Sequence, residues 1–298
     1  RVFCTRYSYI STSNTIIPDV TMYKIFDIHT HTYPEKIATK ATENLGRFYN
    51  FHVDRTGTIS DLMSNCRDNG ISGFLLLGVA TNAHQVRNVN EGIAHDMAVG
   101  KRAGFEVRGF AAMHQDMEEF ASELDYAVSL GLCGVKLHPD IQGADIDDER
   151  WYPLYALLEA KGLPLYLHMG DDRPQYRFSE PRKLAKILDN FPKLTVIAAH
   201  FGGYRSWDEA VRYLKRRENV WFDTSSALWA MTPEFARYLI DELGYERIMF
   251  GTDYPVVSAD DELKRFFAVS MTEDERRCIL YDNAARLLKL PQLKDSKF

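Results

Sequence analysis

Two histidines one residue apart, His29 and His31, close the apolar run "YKIFDIHTH" over residues 23–31. If the run is a strand, residues i and i+2 point to the same side, so the two imidazoles converge on one point. Polar or ionisable residues end other apolar runs as well. Lys136 and His138 end "GVKLH", His168 lies in "PLYLHM", His200 ends "LTVIAAH" and Asp253 ends "RIMFGTD". Imidazole nitrogen and carboxylate oxygen bind borderline cations such as Zn²⁺ well. Buried together without a cation, such groups would be costly. A bound ion with an open position lowers the pKa of its water to about 7 and so supplies hydroxide near neutral pH. A lone histidine at a strand end is most often a hydrogen-bonded core residue. The repetition at corresponding positions of separate runs is what points to a metal site. Lys136 has three readings: a carboxylated metal ligand, a cation for substrate, or a salt-bridge partner. His52, His84, His95 and His114 have no matching partners and read as ordinary residues, although His52 sits in a loop that could reach the site.

The elements that must position these residues follow from periodicity. Eight strand-length apolar runs occupy 23–29, 73–79, 107–113, 134–138, 164–169, 194–200, 220–225 and 247–253. Their ends recur about every 32 residues, the length of a βαβ unit. Several runs are apolar throughout, as expected of parallel strands covered on both faces. The segments between them read as helices. "ISDLMSNCRDNG" has Ser60 as a cap candidate, "SEPRKLAKILDNFP" opens at Ser179, and "TPEFARYLIDELG" opens at Thr232 with Pro233 in its first turn. Eight β/α units over residues 22–290 predict a single-domain, distorted α/β (β/α)8 TIM barrel. The runner-up is an open doubly wound sheet, for which no G-x-G-x-x-G follows the first strand. In a TIM barrel the C-terminal strand ends carry the active site, which is where all the singled-out residues fall. The long connection 32–56 is expected to contain a helix and to act as a lid or binding loop.

Composition narrows the field. The chain has 298 residues, 45% of them hydrophobic, with a net charge of −6. Without a Lys/Arg run, a nucleic-acid partner is not expected. Nor is a membrane, since no apolar run approaches the ~20 residues of a spanning helix. Cys4, Cys66, Cys133 and Cys278 are scattered and read as reduced thiols of a cytoplasmic protein. Residues 1–21 read as an N-terminal extension, with a native start expected at Met22, and 291–298 as a C-terminal tail.

The motifs "DIHTH", "GVKLHP", "LYLHMG", "AAHFGG", "FGTDYP" and "NAARLL" together resemble the amidohydrolase superfamily. Within it they resemble the amidohydrolase-related (amidohydrolase 2) group of metal-dependent TIM-barrel hydrolases, which includes aminocarboxymuconate-semialdehyde decarboxylase. The resemblance runs from about Tyr23 to Leu290, in order. It implies metal ligation by His29, His31, His168 and Asp253, with His200 catalytic or ligating a second metal. It also places Lys136 where two-metal members often carry a carboxylated lysine. One divalent ion is expected, most simply zinc, with two metals, manganese or iron as alternatives.

The leading expectation is a hydrolase. Asp253 takes a proton from a metal-bound water that attacks an amide, ester or lactone, and His200 assists. The rival is non-oxidative decarboxylation of an unsaturated or aromatic acid on the same site. A non-catalytic metal-binding protein is the third reading. Arg173 and Tyr176, in "GDDRPQYRF", are expected to hold a carboxylate of a small-molecule substrate. The sequence is compatible with a homo-oligomer.

Overall fold

The structure, a computed structural model, describes residues 20–53 and 55–291. The extension expected over 1–21 and the tail expected over 291–298 lie outside them, apart from residues 20, 21 and 291.

All eight expected strands form, all but β3 shorter than their apolar runs: β1 Phe26–Thr30, β2 Gly73–Leu77, β3 Glu106–Ala112, β4 Val135–Leu137, β5 Leu165–Leu167, β6 Val196–Ala198, β7 Val220–Asp223 and β8 Ile248–Met249. They pair in parallel in chain order, which excludes the doubly wound alternative. Backbone bonds close the sheet between its ends. Ile28 N–H donates to Phe250 O (2.9 Å), Asp253 N–H to His29 O (2.9 Å) and His31 N–H to Tyr254 O (2.8 Å). The fold is a TIM barrel.

Two apolar layers explain the uninterrupted hydrophobic runs. Phe26, Ile28, Leu75, Leu77, Phe110, Tyr166, Ile197 and Met249 form the inner cluster, joined by Tyr281, Ala284 and Leu288 of the last helical stretch. Phe74, Leu76, Val135, Leu137, Leu165, Leu167, Val196, Ala198 and Phe222 face the surrounding helices. Alternate residues of one strand therefore enter different cores, and both faces are covered.

The helix caps amend the sequence expectation in two places. Helix α2, Ile59–Asp68, is capped by Thr58, whose hydroxyl accepts from Asp61 N, rather than by Ser60. The helix Pro181–Asn190 starts after Glu180, and Ser179 Oγ instead accepts from Gly170 N at 3.0 Å. The helix Pro233–Leu243 is capped by Thr232 as expected. The 32–56 connection does contain a helix, α1, Glu35–Tyr49. Asn50 ends it in a left-handed conformation (φ 57°) and turns the chain back towards the barrel mouth.

A candidate metal centre at the barrel mouth

Parallel strands bring their last residues to one rim, so side chains far apart in the chain become neighbours. His29 Nε2 lies 3.2 Å from His31 Nε2 and 3.3 Å from Asp253 Oδ1, while His31 Nε2 lies 3.6 Å from the same oxygen. Asp253 adopts φ 64°, a region few non-glycine residues occupy, which marks a position over-determined by its surroundings. Asp27 fixes this loop against β1. Its Oδ1 accepts from the backbone N–H groups of His29 (3.1 Å) and Thr252 (3.0 Å), and its Oδ2 accepts from Thr252 Oγ1 (2.6 Å).

Hydrogen bonds set the tautomers. His31 Nδ1–H donates to Leu77 O at 2.9 Å. His29 Nδ1–H faces Asp223 Oδ2 at 3.0 Å and Ser225 Oγ at 2.7 Å. Both Nε2 lone pairs therefore point into the shared gap. Burial and the Lys136 ammonium hold the His29 imidazolium well below its usual range, and push His31 down to about 3. Burial raises the Asp253 carboxyl to about 6. Two neutral imidazoles and an acid oxygen in mutual contact have no proton to share among them at neutral pH. Ligand atoms about 2.0–2.2 Å from a tetrahedral ion sit about 3.3 Å apart, close to the separations seen here. The residues fit a divalent cation.

Lys136, wholly buried, reaches His29 Nε2 at 3.3 Å and lies over the Tyr166 ring at 4.4 Å. Burial lowers its ammonium to about 8. His200 sits in a tight turn just past β6, at φ 59°. Its ring stacks on His29 at a centroid distance of 5.3 Å. Its Nδ1–H donates to Ser225 O at 2.6 Å, and its Nε2 faces His168 Nδ1 at 3.0 Å. His168 is not in the close triad. Its Nε2 faces Asp140 Oδ2 at 3.4 Å, and its ring stacks on His138 at 3.9 Å. The five expected residues thus occupy one rim, with three in direct contact around the gap and two behind His29.

Arg173 is placed differently from the expectation. Asp171 takes its Nε (2.8 Å) and Nη2 (2.6 Å), and Nη1 donates to the carbonyl of Phe48. Phe48, Tyr49 and Tyr176 surround the guanidinium at 4.5, 5.0 and 3.9 Å. Nε, Nη1 and Nη2 each make one of these bonds, and Tyr176 packs on the guanidinium.

Sequence reasoning missed three groups. Asp223 ends β7 and accepts from His200 N (2.8 Å), Ser225 N (3.0 Å), Ser225 Oγ (2.7 Å) and the Tyr166 hydroxyl, besides facing His29. Its signal was available, since it ends a strand like the other site residues. Asp140 follows β4, and burial lifts its carboxyl to about 7. Tyr49, at the end of α1, accepts from His138 Nε2–H at 2.9 Å while His138 Nδ1 accepts from Ile141 N.

The comparisons with known proteins agree with the barrel fold. A family model described as Amidohydrolase matches residues 26–290. A gamma-resorcylate decarboxylase from Rhodococcus jostii is 29% identical over 253 residues, covering 68% of this chain and 76% of that protein. A decarboxylase from Emericella nidulans is 26% identical over 227 residues, covering 59% and 67%. Among solved structures, a dihydroxybenzoic acid decarboxylase from Polaromonas, bound to manganese and the inhibitor 2-nitroresorcinol, superimposes with a TM-score of 0.67. It is 20% identical and covers 93% of this chain and all of that one. The relatives overturn hydrolysis as the leading expectation, because they are decarboxylases. The error has a plain origin: the same histidines and aspartate serve either reaction, so the donor set could not separate them. No helix of the described residues is long and apolar enough to cross a membrane.

Proposed function

From the premise that this chain belongs to the amidohydrolase family, whose model spans residues 26–290, we propose that it is a metal-dependent decarboxylase of a small aromatic carboxylic acid. The observation that carries the reaction class is the 253-residue alignment to a gamma-resorcylate decarboxylase. The convergence of His29, His31 and Asp253 supplies the means.

His29, His31 and Asp253 would hold one divalent ion; His168, whose nitrogens face His200 and Asp140, stands outside that trio. When bound, the ion supplies a positive charge that fixes the substrate's oxygens and offsets their negative charge. Zinc and manganese both suit this donor set, and manganese is the ion in the Polaromonas structure.

The reaction breaks the bond between ring carbon and carboxylate. CO₂ leaves, the bond's electron pair stays on the ring carbon, and one proton must arrive there. His200 is the group we assign to carry that proton. Its Nδ1–H is tied to Ser225 O, which fixes the ring, and its Nε2, which faces His168 Nδ1 at 3.0 Å, is the atom that exchanges the proton. Asp223 holds His29 in the ligating tautomer and the His200 backbone in its tight turn. Tyr49, Phe51 and Trp229 line the mouth with aromatic faces, and the Phe51–Trp229 contact (6.2 Å) narrows it. Such walls suit a flat ring and keep water from the reacting carbon.

The test is a panel of hydroxybenzoates, together with lactones and amides, offered to protein loaded with Zn²⁺ or Mn²⁺. CO₂ should be released, and in D₂O one deuterium should appear at the ring carbon that lost it. Turnover of lactones or amides with no CO₂ from any acid would refute the proposal.

A further inference from the structure

Helix α1 is weakly anchored by its own packing. The residues it buries are Ala38, Thr42 and Gly46, a stripe of small side chains spaced by four. Elements with so little apolar burial belong to the low end of local stability. Its C-terminal end nevertheless carries the residues that face the site. Tyr49 bonds His138, whose ring stacks on His168, and Phe51 meets Trp229 across the mouth.

Besides Tyr49's own bond to His138, a side chain from another β/α unit holds that end. Arg173, on the loop after β5, donates to the Phe48 carbonyl in the last turn of α1. That carbonyl is one of those a helix end leaves unsatisfied, and a cation there also complements the helix dipole. Asp171, almost fully buried, grips the other edge of the guanidinium with two bonds and also accepts from Arg173 N at 2.8 Å. Phe48, Tyr49 and Tyr176 pack around it. A planar fork with five donors fits this arrangement, and an ammonium does not.

We propose that Arg173 is a positioning residue that latches α1 over the barrel mouth, and that it sets affinity for the substrate through Tyr49 and Phe51 rather than by binding the substrate's carboxylate. The inference rests on the reading of this mouth as the place where substrate enters. The latch itself is physical and can be measured without turnover.

The experiment measures amide hydrogen exchange over Glu35–Phe51, and the binding of 2,6-dihydroxybenzoate, in metal-loaded wild type, Arg173→Gln, Arg173→Lys and Asp171→Ala. A lost charge-assisted bond predicts exchange over Glu35–Phe51 faster by about tenfold or more in Arg173→Gln and Asp171→Ala. Exchange over β6 and β7 should stay unchanged, which shows an intact barrel. Arg173→Lys should be intermediate, and if the glutamine variant fails to fold, the lysine and Asp171→Ala variants decide. Binding should weaken in both Arg173→Gln and Asp171→Ala. A carboxylate-binding Arg173 predicts the opposite for Asp171→Ala, which frees the guanidinium and would tighten binding. Unchanged exchange over Glu35–Phe51, or tighter binding by Asp171→Ala, overturns the proposal. If no aromatic acid binds at all, the decarboxylase reading fails, while the exchange result still decides the latch.

Discussion

Asp223→Asn keeps the size of a buried side chain and swaps one acceptor oxygen for a two-hydrogen donor, so its effect follows from the partners. Oδ1 accepts three bonds, from His200 N, Ser225 N and Ser225 Oγ, at 2.7–3.0 Å. Placing the amide nitrogen there would set it against three donors. The nitrogen must therefore take the Oδ2 position, facing His29 Nδ1 and the Tyr166 hydroxyl. The hydroxyl can rotate and accept. His29 relieves the donor–donor contact either by giving its Nδ1 proton wholly to Ser225 Oγ at 2.7 Å or by moving it to Nε2, into the 3.2–3.6 Å gap shared with His31 and Asp253, which makes a second tautomer. That tautomer cannot ligate an ion. Restoring the ligating form costs about 1.5–3 kcal/mol, the worth of a charge-assisted bond. At about 1.4 kcal/mol per tenfold this is a 10–100-fold loss of metal affinity, the usual range for losing such a partner. The assay is competition against a chromophoric chelator at fixed pH, with circular dichroism to show that the barrel persists. A folded Asp223→Asn variant that binds metal within about threefold of wild type would refute the tautomer argument.

Other outcomes follow from the same reasoning. Glu262 is fully buried, and burial lifts its carboxyl to about 8 despite Arg265 beside it. A raised carboxyl pKa favours the fold below about pH 4.5 and loses that contribution as pH climbs towards 8. Glu262→Gln should therefore match wild type near pH 5 and melt several degrees higher near pH 9, a difference on the order of a few kcal/mol. Equal melting curves at both pH values would contradict this. Stripping metal with a chelator should lower Tm by roughly 5–10 °C from a state with metal at about a hundred times its Kd, and re-adding Zn²⁺ or Mn²⁺ should restore it; an unchanged Tm would count against an ion at this rim. Gly170 has φ 76°, and a Cβ there would lie 2.4 Å from Tyr204 N. Gly170→Ala should destabilise by several kcal/mol in a chemical melt, because backbone cannot yield as a flexible side chain can. Thr232→Ala should cost about 1 kcal/mol by removing the cap on Phe235 N, with activity intact.

The barrel was legible because its strands are continuous apolar runs at a regular interval, and two-sided burial writes itself into composition. His29, His31 and Asp253 were legible because strand ends of a parallel barrel must meet. Asp223 ends its strand in the same way, but a single aspartate in "VWFDTS" resembles any polar strand terminus until its hydrogen bonds are seen. The surroundings of Arg173 were illegible for a different reason. A guanidinium in a polar loop suggests a ligand, yet one of its partners is a backbone carbonyl 125 residues away, and carbonyls leave no mark in sequence. The Ser179 cap missed by one residue because its hydroxyl is drawn to Gly170 N, and the Ser60 cap by two because neighbouring hydroxyls compete. Thr58 and Ser60 are bonded to each other at 3.0 Å, and backbone geometry alone decides which one starts the helix.

The closure of the sheet bears on how such a chain is made. β1 waits for Phe250–Tyr254 to cover its open side, and Asp27 finds Thr252 across a separation of 225 residues. Until the ribosome has released that segment, an early apolar strand has an exposed edge that neighbouring nascent chains can pair with. The same segment brings Asp253, so polypeptides cut short before it lack both the closing seam and a complete set of donors. Competence for chemistry is therefore conferred at the final stage of assembly.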